Sequence, residues 1–276
     1  MLGSFFFASV ANVANLALQA RILPMLDYEL VLEEAADIAE RASKVALSYF
    51  RQALLIEMKE NHTPVTVADK KTEEMIREEL SRAFPDHGML GEEFGEHLNN
   101  SDYVWTIDPI DGTRSFIRGI PLWGTLLGLV ERGEPVIGIM VLPALGETYV
   151  AAKGMGAFCD GTQLHVSSTQ SLESAVVSSG DVACFQAAGK KDYLLKLMDR
   201  AELVRGYTDC FGHSLLLRGA VDAMVDPVVS PWDVAPLACL VREANGDYFT
   251  FEGERKHDGK SFISCTPALK DELLKL

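Results

Sequence analysis

One short stretch governs what this chain can fold into. YVWTI, Tyr103 to Ile107, is an apolar, β-favouring run, and DPIDGTRSF follows it directly, Asp108 to Phe116. A buried strand therefore ends on two carboxylates, Asp108 and Asp111, with a proline between them and a glycine after. Proline removes a backbone donor and glycine relaxes φ, so a turn is expected there. Carboxylates that close repel, and one stays protonated unless a cation sits between them. Any fold built on this strand must bring a cation, or a proton, to its end.

The neighbouring sequence says what kind of sheet that strand joins. PLWGTLLGLVERGEPVIGIMVLPALGETYVAAKGMGAF repeats strand and turn, with Gly133-Glu134-Pro135 and Leu145-Gly146 at the turns. This is the pattern of an antiparallel meander. Upstream, Leu30, Ala35, Ile38, Ala42, Val45 and Tyr49 share one face of a helix. TPVTVADKKTEEMIREELSRAF then reads as a short strand entering a second helix, capped by Thr66 with Asp69 three residues on. Phe84 to Gly88 breaks that helix, and GMLGEEFGE is a strand ending in acids. After about Ser168 strands and helices alternate, and DVAPLACLVREANG is a helix closed by Gly246. The expected class is α+β over residues 27–168, joined to an α/β half over residues 169–276. Residues 1–26 read as an N-terminal extension, apolar but without the early positive charge of a signal peptide.

Composition narrows the partners. The 276 residues are 48% hydrophobic, enough for a large core. Forty acidic against 25 basic residues leave a net charge of −15, which argues against nucleic acid or anionic membrane as partner. A phosphate-bearing substrate would be repelled unless something reverses the local sign. The five cysteines are scattered with no CxxC pair, and no HExxH occurs, so neither a disulfide framework nor a zinc site is expected. Reduced thiols point to a cytoplasmic protein.

The acids then converge. Glu92 ends the preceding strand and supplies a third carboxylate, and Asp233, opening a later helix, a fourth. With the Ile110 carbonyl they form an all-oxygen set, which suits Mg²⁺. A bound cation also inverts the local potential in an acidic protein. Gly112 and Thr113 begin a short helical segment whose first amides can take phosphate. The Thr113 hydroxyl can hold a water with help from a nearby acid. Metal-assisted hydrolysis of a phosphate ester fits the set.

GEEFG, WTIDPIDGTRSF and PWDVAPLACLVREANG resemble, in order and spacing, the three signature blocks of the inositol monophosphatase superfamily. With VTVADKKTE the resemblance runs from about Asp27 to the end. It is greatest to the histidinol-phosphate phosphatase branch, through GMLGEEFG, DPIDGTRSFIRGIPLW, YTDC and SPWDVAPLACLVREA. The resemblance implies a layered α/β/α/β/α sandwich with an antiparallel N-terminal sheet and a smaller C-terminal α/β half. It implies Glu92, Asp108, the Ile110 carbonyl, Asp111 and Asp233 as metal ligands, for about two or three Mg²⁺ ions. It implies Asp69, Glu92 and Thr113 as the catalytic set, with Asp69 and Thr113 activating water. It implies phosphate-binding amides at Gly112 and Thr113, and Asp209 and Asp226 facing the organic part of the substrate.

The expected reaction is hydrolysis of L-histidinol phosphate to L-histidinol and phosphate, a step of histidine biosynthesis, by metal-activated water. Inositol-1-phosphate is the alternative substrate, and a non-catalytic, metal-dependent binding protein the alternative of another class. A homodimer is expected from the family, without nucleic acid or membrane. Plainer roles stand beside these: Asp69 and Asp233 fit helix caps, Asp226 fits a strand end, and Arg114 and Arg118 fit either surface charges or an electropositive lip. His62 and His213 are lone histidines, more often satisfied than catalytic.

Overall fold

A computed structural model describes residues 26–53, 55–58 and 64–276. The expected N-terminal extension and His62 lie outside the described residues, apart from Leu26, which packs on the core. Helix α1, Tyr28–Tyr49, is capped by Asp27, whose side chain accepts from the amides of Glu29 and Leu30. Its buried face runs through Val31, Ala35, Ile38, Ala39, Ala42 and Ala46. Leu30, expected on that face, is 63% exposed. Four residues back from Ala35 lies Val31, so the 3.6-residue period selects Val31 over Leu30. Two short strands, β1 Glu57–Met58 and β2 Pro64–Val65, pair antiparallel before α2, Val67–Ala83.

Next come β3 Gly88–Gly91, β4 Gly95–His97, β5 Tyr103–Asp111, the one-turn α3 Thr113–Phe116, β6 Gly124–Glu131 and β7 Glu134–Leu142. Strands β8 Glu147–Ala152, β9 Gly156–Cys159 and β10 Thr162–Gln163 complete this sheet, in spatial order β10-β9-β8-β7-β6-β5-β3-β4. From β5 to β10 it is the expected meander. One pair departs from the antiparallel expectation: β3 runs parallel to β5, because β4 pairs on the outer side of β3 and the chain returns to start β5 in the same direction.

The later chain gives β11 Val176–Ser179, α4 Val182–Ala187, α5 Lys191–Arg200, β12 Leu203–Arg205, α6 Asp209–Leu217 and β13 Ala223–Asp226. Helix α7 Pro231–Glu243, β14 Asp247–Phe249, β15 Phe262–Cys265 and α8 Lys270–Leu273 follow. A five-stranded mixed sheet results, ordered β12-β11-β13-β15-β14. Helix α7 is closed by Asn245, at φ 63°, rather than by Gly246. Asparagine tolerates the left-handed region, so Gly246 is glycine for want of space: a Cβ there would lie 2.8 Å from a Val241 methyl.

The two-residue period of the strands builds the layers. Leu127 and Leu129 of β6 with Ile137 and Ile139 of β7 face α1 and α2. Leu126 and Met140 face the other way, against Val234, Leu237, Ala238 and Val241 of α7 and Leu216 and Leu217 of α6. Phe262 and Tyr248 of the second sheet close on that same middle layer. Val177, Ala223, Val225 and Ile263 turn outward to Phe185, Leu194, Leu197 and Leu273. The result is the expected α/β/α/β/α sandwich. Trp105, read as a core aromatic, is fully buried.

Two glycines let α7 sit on the first sheet. A Cβ at Gly138 would lie 2.2 Å from the Pro236 carbonyl oxygen, and one at Gly128 would lie 2.9 Å from the Pro236 nitrogen. Because α7 also carries Asp233, this close contact sets the height of a site carboxylate. Gly138→Ala should push the helix away and cost about 1–3 kcal/mol as overpacking. Denaturant unfolding measures it, and an unchanged midpoint would show that α7 is not held at this contact.

Candidate active site

The turn expected at Pro109 is instead a bulge in a strand that continues. Strand β5 runs on to Asp111, but its pairing with β6 moves from Asp108 opposite Leu126 to Asp111 opposite Gly124. Three steps on one strand oppose two on the other, so one residue is extra. Proline fits there because no donor is demanded of it. Its carbonyl accepts from the Thr125 hydroxyl at 2.9 Å, and Asp108 Oδ1 accepts from the Ile110 amide at 3.0 Å. Strict alternation would put Asp108 and Asp111 on opposite faces; the bulge is what lets both carboxylates face one volume.

Asp108, Asp111 and Asp233 each present an oxygen within 4.8 Å of the others. Asp108 is 2% exposed, while Asp111 and Asp233 keep a partly open side. Burial raises the carboxyl pKa of all three, and mutual repulsion raises those of Asp108 and Asp111 further. Asp108 and Asp111 are driven well up, Asp108 with added repulsion from Glu92, Asp111 and Asp233. Asp233 is pushed up to about 7 by burial, against a lowering hydrogen bond from the Ser230 amide and with Glu92 repelling. Glu92 follows β3, its amide bonded to the Ile107 carbonyl at 3.1 Å. An all-oxygen, anionic, crowded donor set of this kind fits a hard divalent cation.

Both capping readings are correct as far as they go. Asp69 Oδ2 accepts from the Thr66 amide and hydroxyl, each at 2.7 Å, and Asp233 Oδ2 accepts from the Ser230 amide at 2.8 Å. The same two carboxylates nevertheless face the cluster. Asp69, 1% exposed, has its pKa raised by burial, with the Thr66 bonds opposing and Glu92 adding repulsion. Its Oδ1 lies 3.5 Å from the Thr113 hydroxyl, which donates to the Ile110 carbonyl at 2.9 Å. Gly112 takes φ 84°, and a Cβ there would meet the Leu122 carbonyl at 3.0 Å and Asp209 at 3.3 Å. Glycine is required at this corner. The amides of Ser115 and Phe116 bond back to the Gly112 carbonyl, and the amides before them open the helix without intrahelical partners.

Asp209 and Asp226 come from the second sheet's side. Asp209 opens α6 at φ 59°, a strained position for a non-glycine residue, and its Oδ2 accepts from the Thr208 hydroxyl at 2.8 Å. Burial, then repulsion from Asp226 and Asp181, raises it to about 6. Asp226 ends β13, and its Oδ2 is 2.9 Å from His213 Nε2, whose Nδ1 is 3.0 Å from the Ser264 hydroxyl. His213, 1% exposed, is thus a satisfied core histidine that fixes Asp226. A cavity of about 90 Å³ is lined by Asp111, Asp209, His213, Asp226 and Asp233. A second, of about 440 Å³, is lined by Arg114, Ser115, Asp181, Thr208 and Asp209. Arg114 therefore borders the site, whereas Arg118 donates to the Arg114 carbonyl at 2.9 Å and braces the helix.

Three contributors escape a reading by sequence. The Cys210 amide donates to Asp111 from 99 residues away. His213 acquires its role only through Asp226 and Ser264. Glu73, fully buried, bonds the amides of Glu93 and Phe94 at 2.7 and 3.3 Å. Only Glu73 left a signal, as a charge on the apolar stripe of Ile76 and Leu80, four residues after Asp69.

Among the described residues no helix is long and apolar enough to cross a membrane. Residues 27–275 match the model of the inositol monophosphatase family. A histidinol-phosphatase of Chlorobaculum parvum is 40% identical over 255 residues, 88% of this chain and 95% of the relative. One of Mycobacterium tuberculosis is 38% identical over 246 residues, 87% and 95% of the two chains. The solved structure of a Thermotoga maritima IMPase superposes with a TM-score of 0.81 at 30% identity, over 88% of this chain and 95% of that one. The chain belongs to the inositol monophosphatase family, and it is a phosphomonoesterase.

Proposed function

We propose that the chain hydrolyses L-histidinol phosphate, with Mg²⁺ held by Glu92, Asp108, the Ile110 carbonyl, Asp111 and Asp233. The observation that carries the substrate is the pair Asp209 and Asp226, acids set beyond the metal cluster and lining its cavity. Histidinol carries an ammonium and an imidazole, which such acids pair with; neutral inositol needs a ring of hydrogen-bonding groups instead. The relatives named as histidinol-phosphatases support the same choice.

Mg²⁺ held by these residues would supply Lewis-acid polarisation of the phosphoryl group and would offset the carboxylate charge. The chain's own residues do the rest. The Thr113 hydroxyl, held between Asp69 and the Ile110 carbonyl, orients the attacking water, and Asp69 draws its proton. The raised pKa of Asp69 makes it a better proton acceptor than an ordinary aspartate. The amides of Gly112 and Thr113 bind phosphate oxygens. His213 and Ser264 keep Asp226 aimed at the cationic end.

The substrate assignment is tested by kcat/KM for histidinol phosphate against inositol-1-phosphate. Preference for the inositol ester would overturn it. Asp226→Asn should lower kcat/KM for histidinol phosphate about ten- to hundredfold, the range for losing about 1.5–3 kcal/mol of a charge-assisted bond. A neutral aryl phosphate should lose much less. Equal losses on both would remove Asp226 from the substrate pocket.

Metal dependence is tested by Asp111→Asn, which should abolish turnover while leaving the apo fold as stable as wild type or more so, since one repelling charge is gone. The pH profile checks the same point. Folded Asp209 and Asp233 titrate near 6 and 7, above the usual carboxylate range, so they add stability at low pH that is lost as pH rises through those values. In a chelator, the melting temperature of wild type should fall between about pH 5 and pH 8. Added Mg²⁺ should lessen the fall through Asp233, and Asp111→Asn should lessen it by removing that residue's own raised carboxyl. A melting temperature that climbs over this range without metal would contradict the cluster as described.

A further inference from the structure

We infer that Glu73, with Arg77, is a positioning clamp that fixes the Glu92 loop for metal binding; this rests on Glu92 being a ligand, as proposed above. Glu73 is a fully buried carboxylate that takes no part in the reaction, and burying such a charge is costly unless its bonds are complete. They are. Oε2 accepts from the Glu93 amide at 2.7 Å, and Oε1 accepts from the Phe94 amide at 3.3 Å and from Arg77 Nε at 2.7 Å. The Arg77 guanidinium also donates to the Gly95 carbonyl and lies over the Phe94 ring.

Residues 93–95 are fastened to one turn of α2. Gly91 is part of the device, because a Cβ there would stand 2.0 Å from Glu73 Oε1. The Glu92 amide is bonded on the other side, to the Ile107 carbonyl of β5. Glu92 is therefore held between a helix and a strand, with its carboxylate near enough to Asp108 to repel it. Asp69 and Glu73 lie one helical turn apart on the buried face of α2. One helix thus sets both the Asp69–Thr113 contact and the loop that presents Glu92. Movement of either relative to the other would spoil the geometry of water and ligand together.

Two variants test the clamp: Glu73→Gln, which replaces an acceptor with a donor facing an amide, and Gly91→Ala, which displaces Glu73 sterically and leaves the charge in place. Mg²⁺ binding to the folded protein is measured by calorimetry, and amide exchange is followed in the metal-free state. Both variants should weaken Mg²⁺ binding roughly 10- to 100-fold, the usual cost of releasing a group that orients a ligand. Exchange should speed up at Glu93 and Phe94 while the amides of β6 and β7 stay protected. Should Glu73→Gln fail to fold, Gly91→Ala alone decides. Wild-type Mg²⁺ affinity in a folded variant, or faster exchange spread evenly over the chain, would overturn the clamp and leave Glu73 a purely structural acid. Wild-type protein that bound no Mg²⁺ would instead sink the metal reading, and the clamp with it.

Discussion

Repulsion among carboxylates that share one buried volume is the constraint to which the rest of this structure answers. Asp108, Asp111 and Asp233 would separate, or stay protonated, if nothing held them. Each is held by a backbone amide, from Ile110, Cys210 and Ser230 respectively, and Asp69 by that of Thr66. Four carboxylates take four amides from four separate segments. Amide bonds of this kind favour the charged form and also fix direction, so the set is oriented before any cation arrives. What the amides leave uncompensated is the drive for a cation to bind. The net charge of −15 would then cease to be an obstacle to a phosphate ester, because a cation held there would set the local sign at the site.

The two sheets divide the work. Helix α2, strand β5, the turn after β3 and the one-turn α3 carry Asp69, Asp108 and Asp111, Glu92, and Thr113, the groups of the proposed phosphoryl chemistry. Strand β13 and helix α6 carry Asp226 and Asp209, the groups of the proposed substrate choice. Asp233 belongs to α7, in the layer between, and its height is set by the glycine contacts that seat Pro236 on β6 and β7. Substituting Asp209 or Asp226 removes no hydrogen bond that orients the first group, whose link to α6 is the Cys210 backbone amide on Asp111. A single chemistry can therefore serve several esters on this one scaffold.

How far the sequence foretold this follows from how local each cause is. The carboxylates of DPIDGT were legible because their crowding is built into four consecutive residues. The capping box of α2 was legible because Thr66 and Asp69 stand three apart. The bulge was not: a proline followed by a glycine signals a turn, and only pairing with β6 keeps β5 extended to Asp111. Val31 in place of Leu30 shows the same limit, since two adjacent apolar residues compete for a face and the Asp27 cap sets the phase. Cys210, His213 and Glu73 act through contacts 99, 51 and 20 residues distant, and no local pattern announces such pairings.

Asp209 shows how the two divisions meet. It lines both the small cavity over the carboxylate cluster and the larger one bordered by Arg114 and Asp181. Its backbone is held in the left-handed region, where a residue other than glycine is under strain, and the Thr208 hydroxyl fixes its carboxylate. Gly112 lies beneath it, and any side chain there would crowd its oxygen. The glycine at the proposed phosphate-binding corner is thus also the one that makes room for Asp209, the acid proposed to face the substrate. The strained aspartate stands directly over the bare glycine, so the two proposed subsites adjoin. The positive φ and the Leu122 carbonyl already call for glycine at residue 112, and the Asp209 carboxylate closes the remaining side of the same corner.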